Sequence, residues 1–177
     1  DLMRNLDGRI SGISRIKCLS PPGSANTCGW FHPTEEHVVY FASTLLPPEE
    51  TESPGYNRGT GRYTWMFPPR MQIYSCDLDA PTGLITSLQH VAGDDRHYQA
   101  EGALNADGSY LVYCSHATGN GDLYAHEIRT GRDIPLVLEE GYDGGPFFSP
   151  GGERICYRSD RARNDLLQII VAELDVD

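Results

Sequence analysis

Six histidines and five cysteines are the residues of this 177-residue chain with the most chemistry to offer. His32, His37, His90, His97, His116 and His126 form no H-E-x-x-H run or other tight ligand pattern. Lone imidazoles in a strand-rich chain alternate between faces, and their usual place is a hydrogen-bonded or solvent-facing one, so no metal site is expected. Cys18, Cys28, Cys76, Cys114 and Cys156 contain no C-x-x-C pair and no ligand spacing with a histidine. Three of them fall in the apolar runs "YSCDL", "LVYCS" and "RICYR", where a thiol serves as a small packing group. The glycines of "YDGGPFFSPGGERICYRSDR" lack the G-x-x-x-x-G-K-[ST] spacing of a phosphate loop, and no G-x-S-x-G elbow occurs. No catalytic residue and no cofactor is therefore expected within these residues.

Charge narrows the partners. Fourteen Lys plus Arg against twenty-five Asp plus Glu give a formal charge of -11, which repels a polyanion. Nucleic acid is excluded on that ground. Arg158, Arg161 and Arg163 form a basic cluster too small to reverse the field. No apolar run approaches the roughly 20 residues of a membrane-spanning helix.

The elements that would position any site emerge from internal repetition. "CGWFHPTEEHVVYFAS", "EGALNADGSYLVYCS" and "GPFFSPGGERICYRS" each run from a short apolar stretch through a tight turn to an apolar stretch ending at serine: Ser43, Ser115 or Ser159. Downstream of each comes an alternating run: "QIYSCDLD", "DLYAHEIR" or "QIIVAELD". After the first two, turn signals lead into another apolar run. Four short strands in about 45 residues, joined by hairpin turns such as Asp107-Gly108 and Gly151-Gly152, predict an all-β propeller blade, an antiparallel sheet whose faces are covered by neighbouring blades. Strands are expected at 27–32, 38–43, 72–78, 84–90, 99–105, 110–115, 122–128, 133–138, 144–149, 154–159 and 167–174. The boundaries that follow are 1–25 for the end of a preceding blade, with "DLMRNLDG" and "SRIKCLS" as its last strands. Next come 26–97 for a blade interrupted by an insert at 47–70, 98–141 for the next, and 142–177 for one lacking its last strand. About three and a quarter blades, three to four counting the partial one, fall short of a closed ring, which needs at least four whole blades, so the chain is expected to be part of a larger ring, or a half that a second copy closes.

The last copy, "GYDGGPFFSPGGERICYRSDR" followed by "LLQIIVAEL", resembles the TolB-like propeller repeat of the WD40-like Pro-Asp kind, with Gly151 in place of the usual aspartate. The resemblance implies a ring of six or seven blades, a periplasmic or secreted bacterial protein, and a non-catalytic scaffold that binds a protein or peptide through top-face loops and the channel mouth. The alternative it leaves open is the propeller of a prolyl-oligopeptidase-like serine peptidase whose catalytic domain lies outside these residues.

Two groups of candidate site residues follow. The insert "PPEETESPGYNRGTGRYTWMFPPR" carries Tyr56, Tyr63 and Trp65 as apolar anchors and Glu49, Glu50 and Glu52 as acidic steering groups for a basic partner. Asn26, Gln99 and Asp143 hold one equivalent position at the head of the innermost strands, and Glu101 shares a second with Cys28 and Gly145. These polar groups are expected to line the channel. Tyr98 and Tyr142 are expected to tie blade to blade.

Overall fold

A computed structural model describes residues 2–4, 10–13, 16–49, 55–57, 62–64, 67–81, 85–162 and 166–175. Among them all regular structure is β apart from one 3-10 turn over Ile85–Ser87. A leading hairpin pairs β1 (Leu2–Arg4) with β2 (Ile10–Ile13). The first large sheet then orders β3 (Asn26–Phe31), β4 (Val38–Ser43), β7 (Gln72–Asp77) and β8 (Gln89–Ala92). Between its second and third strands stands a small hairpin of β5 (Gly55–Asn57) and β6 (Arg62–Thr64). The second sheet orders β9 (Gln99–Leu104), β10 (Tyr110–Ser115), β11 (Asp122–Glu127) and β12 (Arg132–Val137). The third comprises β13 (Asp143–Phe148), β14 (Arg154–Ser159) and β15 (Gln168–Glu173). All pairings within these sheets are antiparallel.

Two expected strands lie elsewhere. The last strand of the first sheet starts at Gln89 because Ser87 turns back on β7: its Oγ accepts the Asp77 N–H at 3.2 Å and donates to the Asp77 carbonyl at 3.3 Å. "SRIKCLS" does not supply the partner of β1. That partner is β2, and residues 16–25 lie outside any strand, with Leu19 packed against Val39, Phe41 and Cys76 and Lys17 Nζ 3.4 Å from the Leu78 carbonyl.

The sheets stack face to face. Tyr40, Ala42 and Ile73 of the first meet Tyr98, Ala100, Leu111 and Tyr113 of the second. On its far side the second sheet presents Val112, Cys114, Leu123 and Ala125 to Ile155 and Tyr157 of the third. Residues in the same register therefore carry the core forward from sheet to sheet: Ala42, Cys114 and Arg158 correspond, as do Ile73, Leu123 and Ile169. Burial follows this stacking. β10, covered on both sides, is buried at five successive positions, so its apolar residues do not alternate with polar ones. β14 and β15, covered on one side, alternate between buried or half-buried and exposed residues along most of their length. Cys156 consequently faces outward and is exposed, whereas Cys76 and Cys114 are buried as packing groups.

Backbone bonds stitch neighbouring sheets together near their innermost strands. Gln99 N–H donates to the Met71 carbonyl at 2.8 Å, and Asp143 N–H donates to Gly121 at 2.8 Å. These two bonds join the head of an innermost strand to the residue ahead of the preceding sheet's third strand.

Candidate functional site

The end of each sheet at which the innermost strand begins is built by one repeated device. Ser43, Ser115 and Ser159 are buried, and each Oγ accepts the backbone N–H two residues on, at 2.9, 3.2 and 3.2 Å. The next residue, Thr44, His116 or Asp160, donates its N–H to the carbonyl of Ala25, Tyr98 or Tyr142. Thr44 Oγ1 and Asp160 Oδ1 close this turn by accepting the N–H of Ala25 and Tyr142, at 3.0 and 2.8 Å. His116 occupies the same place with its ring set among aromatic side chains.

Below this frame each innermost strand carries a bulge at the second equivalent position. Cys28, Glu101 and Gly145 all have positive φ, 45°, 59° and 58°, and the strand pairing shifts register around each. A left-handed residue in a bulge re-aims its side chain out of the sheet's alternation. At Glu101 the carboxylate turns into a buried polar knot. Its Oε2 accepts Tyr142 Oη–H at 2.7 Å and Arg158 Nη2–H at 2.8 Å, and its Oε1 accepts Tyr98 Oη–H at 3.3 Å. Arg158 reaches it because the third bulge is a glycine: a Cβ built at Gly145 would stand 2.9 Å from Arg158 Nε. Burial pulls the Arg158 pKa down, but Tyr142 and Glu101 beside it prevail and hold it above its usual value. Burial, reinforced by the Glu101 charge, pushes the Tyr98 and Tyr142 phenols far up, so both act as donors.

Four rings gather beside this knot. Phe67, at the end of the insert, lies 4.4 Å from His116, 4.9 Å from Tyr98 and 5.8 Å from Tyr142, centroid to centroid. Tyr98 meets His116 edge-on at 5.1 Å. Burial lowers the His116 pKa below its ordinary 6.5, against the opposing pull of Glu101 and Asp122. Its buried Nε2 has no hydrogen-bond partner, and neither has Oδ1 of the buried Asp122. A cavity of about 270 Å³ opens past these rings between Phe67, Tyr142, Arg158, Asp160 and Leu167. A second, of about 480 Å³, runs along the three bulges and is walled by Trp30, Phe147 and Ile169. Arg158 borders both. The arrangement is suited to holding apolar side chains against a fixed polar wall.

The residues singled out by sequence divide as follows. Gln99 and Asp143, which begin β9 and β13, are buried. Gln99 Oε1 accepts the Asp94 N–H at 3.3 Å, and Asp143 pairs with Arg161 at 3.2 Å. Asn26, which begins β3, is exposed, and its Nδ2 donates to the Ser24 carbonyl at 2.8 Å. Glu101 is the residue that gathers Tyr98 and Tyr142, and through Tyr142 it ties the second sheet to the third. Glu49 is exposed. Tyr56 and Tyr63 are backbone partners in the register of the β5–β6 hairpin, and Glu50, Glu52 and Trp65 lie outside the described residues. Phe67, one of the insert's aromatics, Arg158, noted only as part of a basic cluster, and His116 were not among the site candidates that the sequence offered. The available signals were Arg158 standing where the other copies have Ala42 and Cys114, and His116 standing where they have Thr44 and Asp160.

No family model matches the chain. Among curated proteins it is similar to the Tol-Pal system protein TolB of Francisella tularensis subsp. mediasiatica (strain FSC147) and of subsp. holarctica (strain OSU18). Each is 32% identical over 68 residues, covering 38% of this chain. The matched stretch amounts to 16% of the length of those relatives. Among solved structures, a putative TolB from Agrobacterium tumefaciens superposes with a TM-score of 0.57 at 18% identity, covering 82% of this chain and 41% of that one. An oligogalacturonate lyase from Vibrio parahaemolyticus superposes with a TM-score of 0.50 at 18% identity, covering 97% and 41%. At such identities the solved structures speak to architecture. Taken with the stacked antiparallel sheets and the repeated bulge, they establish that the chain has the fold of a TolB-like β-propeller, present in part.

Proposed function

We propose that the chain is part of a non-catalytic scaffold, a propeller of a periplasmic bacterial protein that presents its insert and channel mouth to a protein or peptide partner. One observation carries the reading: aromatic side chains and a fixed ion pair line two cavities at the end of the sheets from which the insert at 47–70 emerges. Glu101, the most buried acid among them, is engaged by three donors, which suits a wall better than a proton carrier. Stacked sheets hold the surrounding loops in place, so little conformational entropy is lost on binding and several weak contacts can add. Tyr56, Tyr63 and Trp65 are the proposed anchors, with Glu49, Glu50 and Glu52 drawing in a basic surface. Gln99, Glu101 and Asp143 then serve as the polar lining behind them, and Asn26 as its exposed rim. Resemblance to Tol-Pal system proteins supports an envelope location.

The test is affinity capture from a bacterial periplasmic extract with the parent chain and with a Tyr56→Ala/Tyr63→Ala/Trp65→Ala variant. Loss of specific partners from the variant, with capture by the parent weakening as salt is raised, is the expected result. Retention of every partner by the variant would remove the insert from the binding surface.

A further inference from the structure

His116 breaks the repeat in a way that packing alone does not require. At the same position Thr44 and Asp160 spend their side chains on closing the turn, whereas the His116 imidazole is released into a box with Tyr98 and Tyr142. The fourth wall of that box, Phe67, comes from no repeat strand. It belongs to the insert and is followed by Pro68, fully buried, and by Pro69, which enters a turn with Arg70, so the chain supplies no N–H of its own at positions 68 and 69. A ring set in an aromatic pocket by a loop whose next two residues carry no backbone donor docks through its side chain alone, as an aromatic anchor of a peptide ligand does. The resident ring is also chemically incomplete: it lies 4.4 Å from the His116 ring, whose buried Nε2 has no partner, and a phenol brings the hydroxyl that a phenyl lacks. Beyond Phe67 the cavity of about 270 Å³ continues to Tyr142, Asp160 and Leu167, room for the residue next to the ring.

We infer that the box of Tyr98, His116 and Tyr142 is a receptor for a tyrosine side chain of a partner protein, and that Phe67 occupies it in cis as a displaceable stand-in. The inference rests on the scaffold reading and adds the partner's chemistry and a built-in competitor.

The test uses two fluorescently labelled synthetic peptides, residues 64–70 of this chain and the same peptide with tyrosine in place of Phe67, titrated into the full chain by fluorescence polarisation. Phe67→Ala is expected to bind both peptides at least tenfold more tightly than the parent. In that background the tyrosine peptide should bind about fivefold better than the phenylalanine one, and adding His116→Phe should erase the difference. Phe67→Leu, which keeps an apolar plug, should fall between parent and Phe67→Ala, and it carries the test if the alanine variant loses cooperative unfolding. Equal binding by parent and plug variants, no binding by any, or no preference for tyrosine would each overturn the inference. A partner captured through the insert while both peptides fail would sink this proposal and leave the scaffold reading standing. Peptide binding alongside unchanged capture by the triple-alanine insert variant would leave this proposal standing and remove Tyr56, Tyr63 and Trp65 as anchors.

Discussion

Glu101 and His116 show how single residues depart from a repeat to make a site. Glu101 accepts a left-handed backbone that L-residues adopt at a cost of about 1–2 kcal/mol, and three donors on its carboxylate offset that strain. His116 gives up the turn-closing hydrogen bond and is held neutral by burial. The sign of its pH effect follows. With the folded pKa below 6.5, the unfolded chain takes up the proton first as pH falls, so unfolded protein is favoured by acid. Stability is expected to decline as pH drops below about 6.5, where the unfolded chain begins to take up the proton, and His116→Phe should flatten that decline. Urea midpoints measured across the range for parent and variant check this. Identical slopes would mean the imidazole is not the group responsible.

At the scale of strands, the sequence was most legible where one sheet repeats the next. The runs "VVYFAS", "YLVYCS" and "RICYRS" announce the second strands because β-branched and aromatic residues end at a serine whose hydroxyl closes a turn. Tyr98 and Tyr142 were legible as ties between sheets, but the Glu101–Arg158 contact was not, for a physical reason: the bulges turn Glu101 out of strand alternation, and Arg158 passes through a gap that exists only because residue 145 lacks a side chain. Gly102 is a second such gap. The Trp30 indole of the first sheet lies over it, and a Cβ there would stand 2.8 Å from Leu111 Cδ1 and 2.9 Å from Trp30 Cη2. Gly102→Ala is therefore expected to destabilise the chain by about 1–3 kcal/mol through overpacking between two sheets. Thermal unfolding measures it, and a change below about 0.5 kcal/mol would show that Trp30 moves aside freely.

For the molecule as a whole, the repeat in the sequence pointed to stacked sheets, which the structure shows. The register of their faces now shows where the stack is open. Ile169, in the same register as the buried Ile73 and Leu123, is 73% exposed, and Val171 and Phe147 beside it are 63% and 59% exposed. Such a face is shaped to receive another sheet, and uncovered it is an aggregation surface. The 177-residue chain is expected to bind a hydrophobic dye and to scatter light at high concentration, and Ile169→Lys/Val171→Lys should suppress both without altering the cooperativity of unfolding. Unchanged dye binding would place the adhesive surface elsewhere. The two backbone bonds at Gln99 and Asp143 have a separate consequence for how this stack comes apart. Each sheet's first inner amide is locked by the sheet before it, so hydrogen–deuterium exchange at those two positions requires separation of whole sheets. The slowest-exchanging protons should therefore gather at the hub, and the rim should exchange by local fraying.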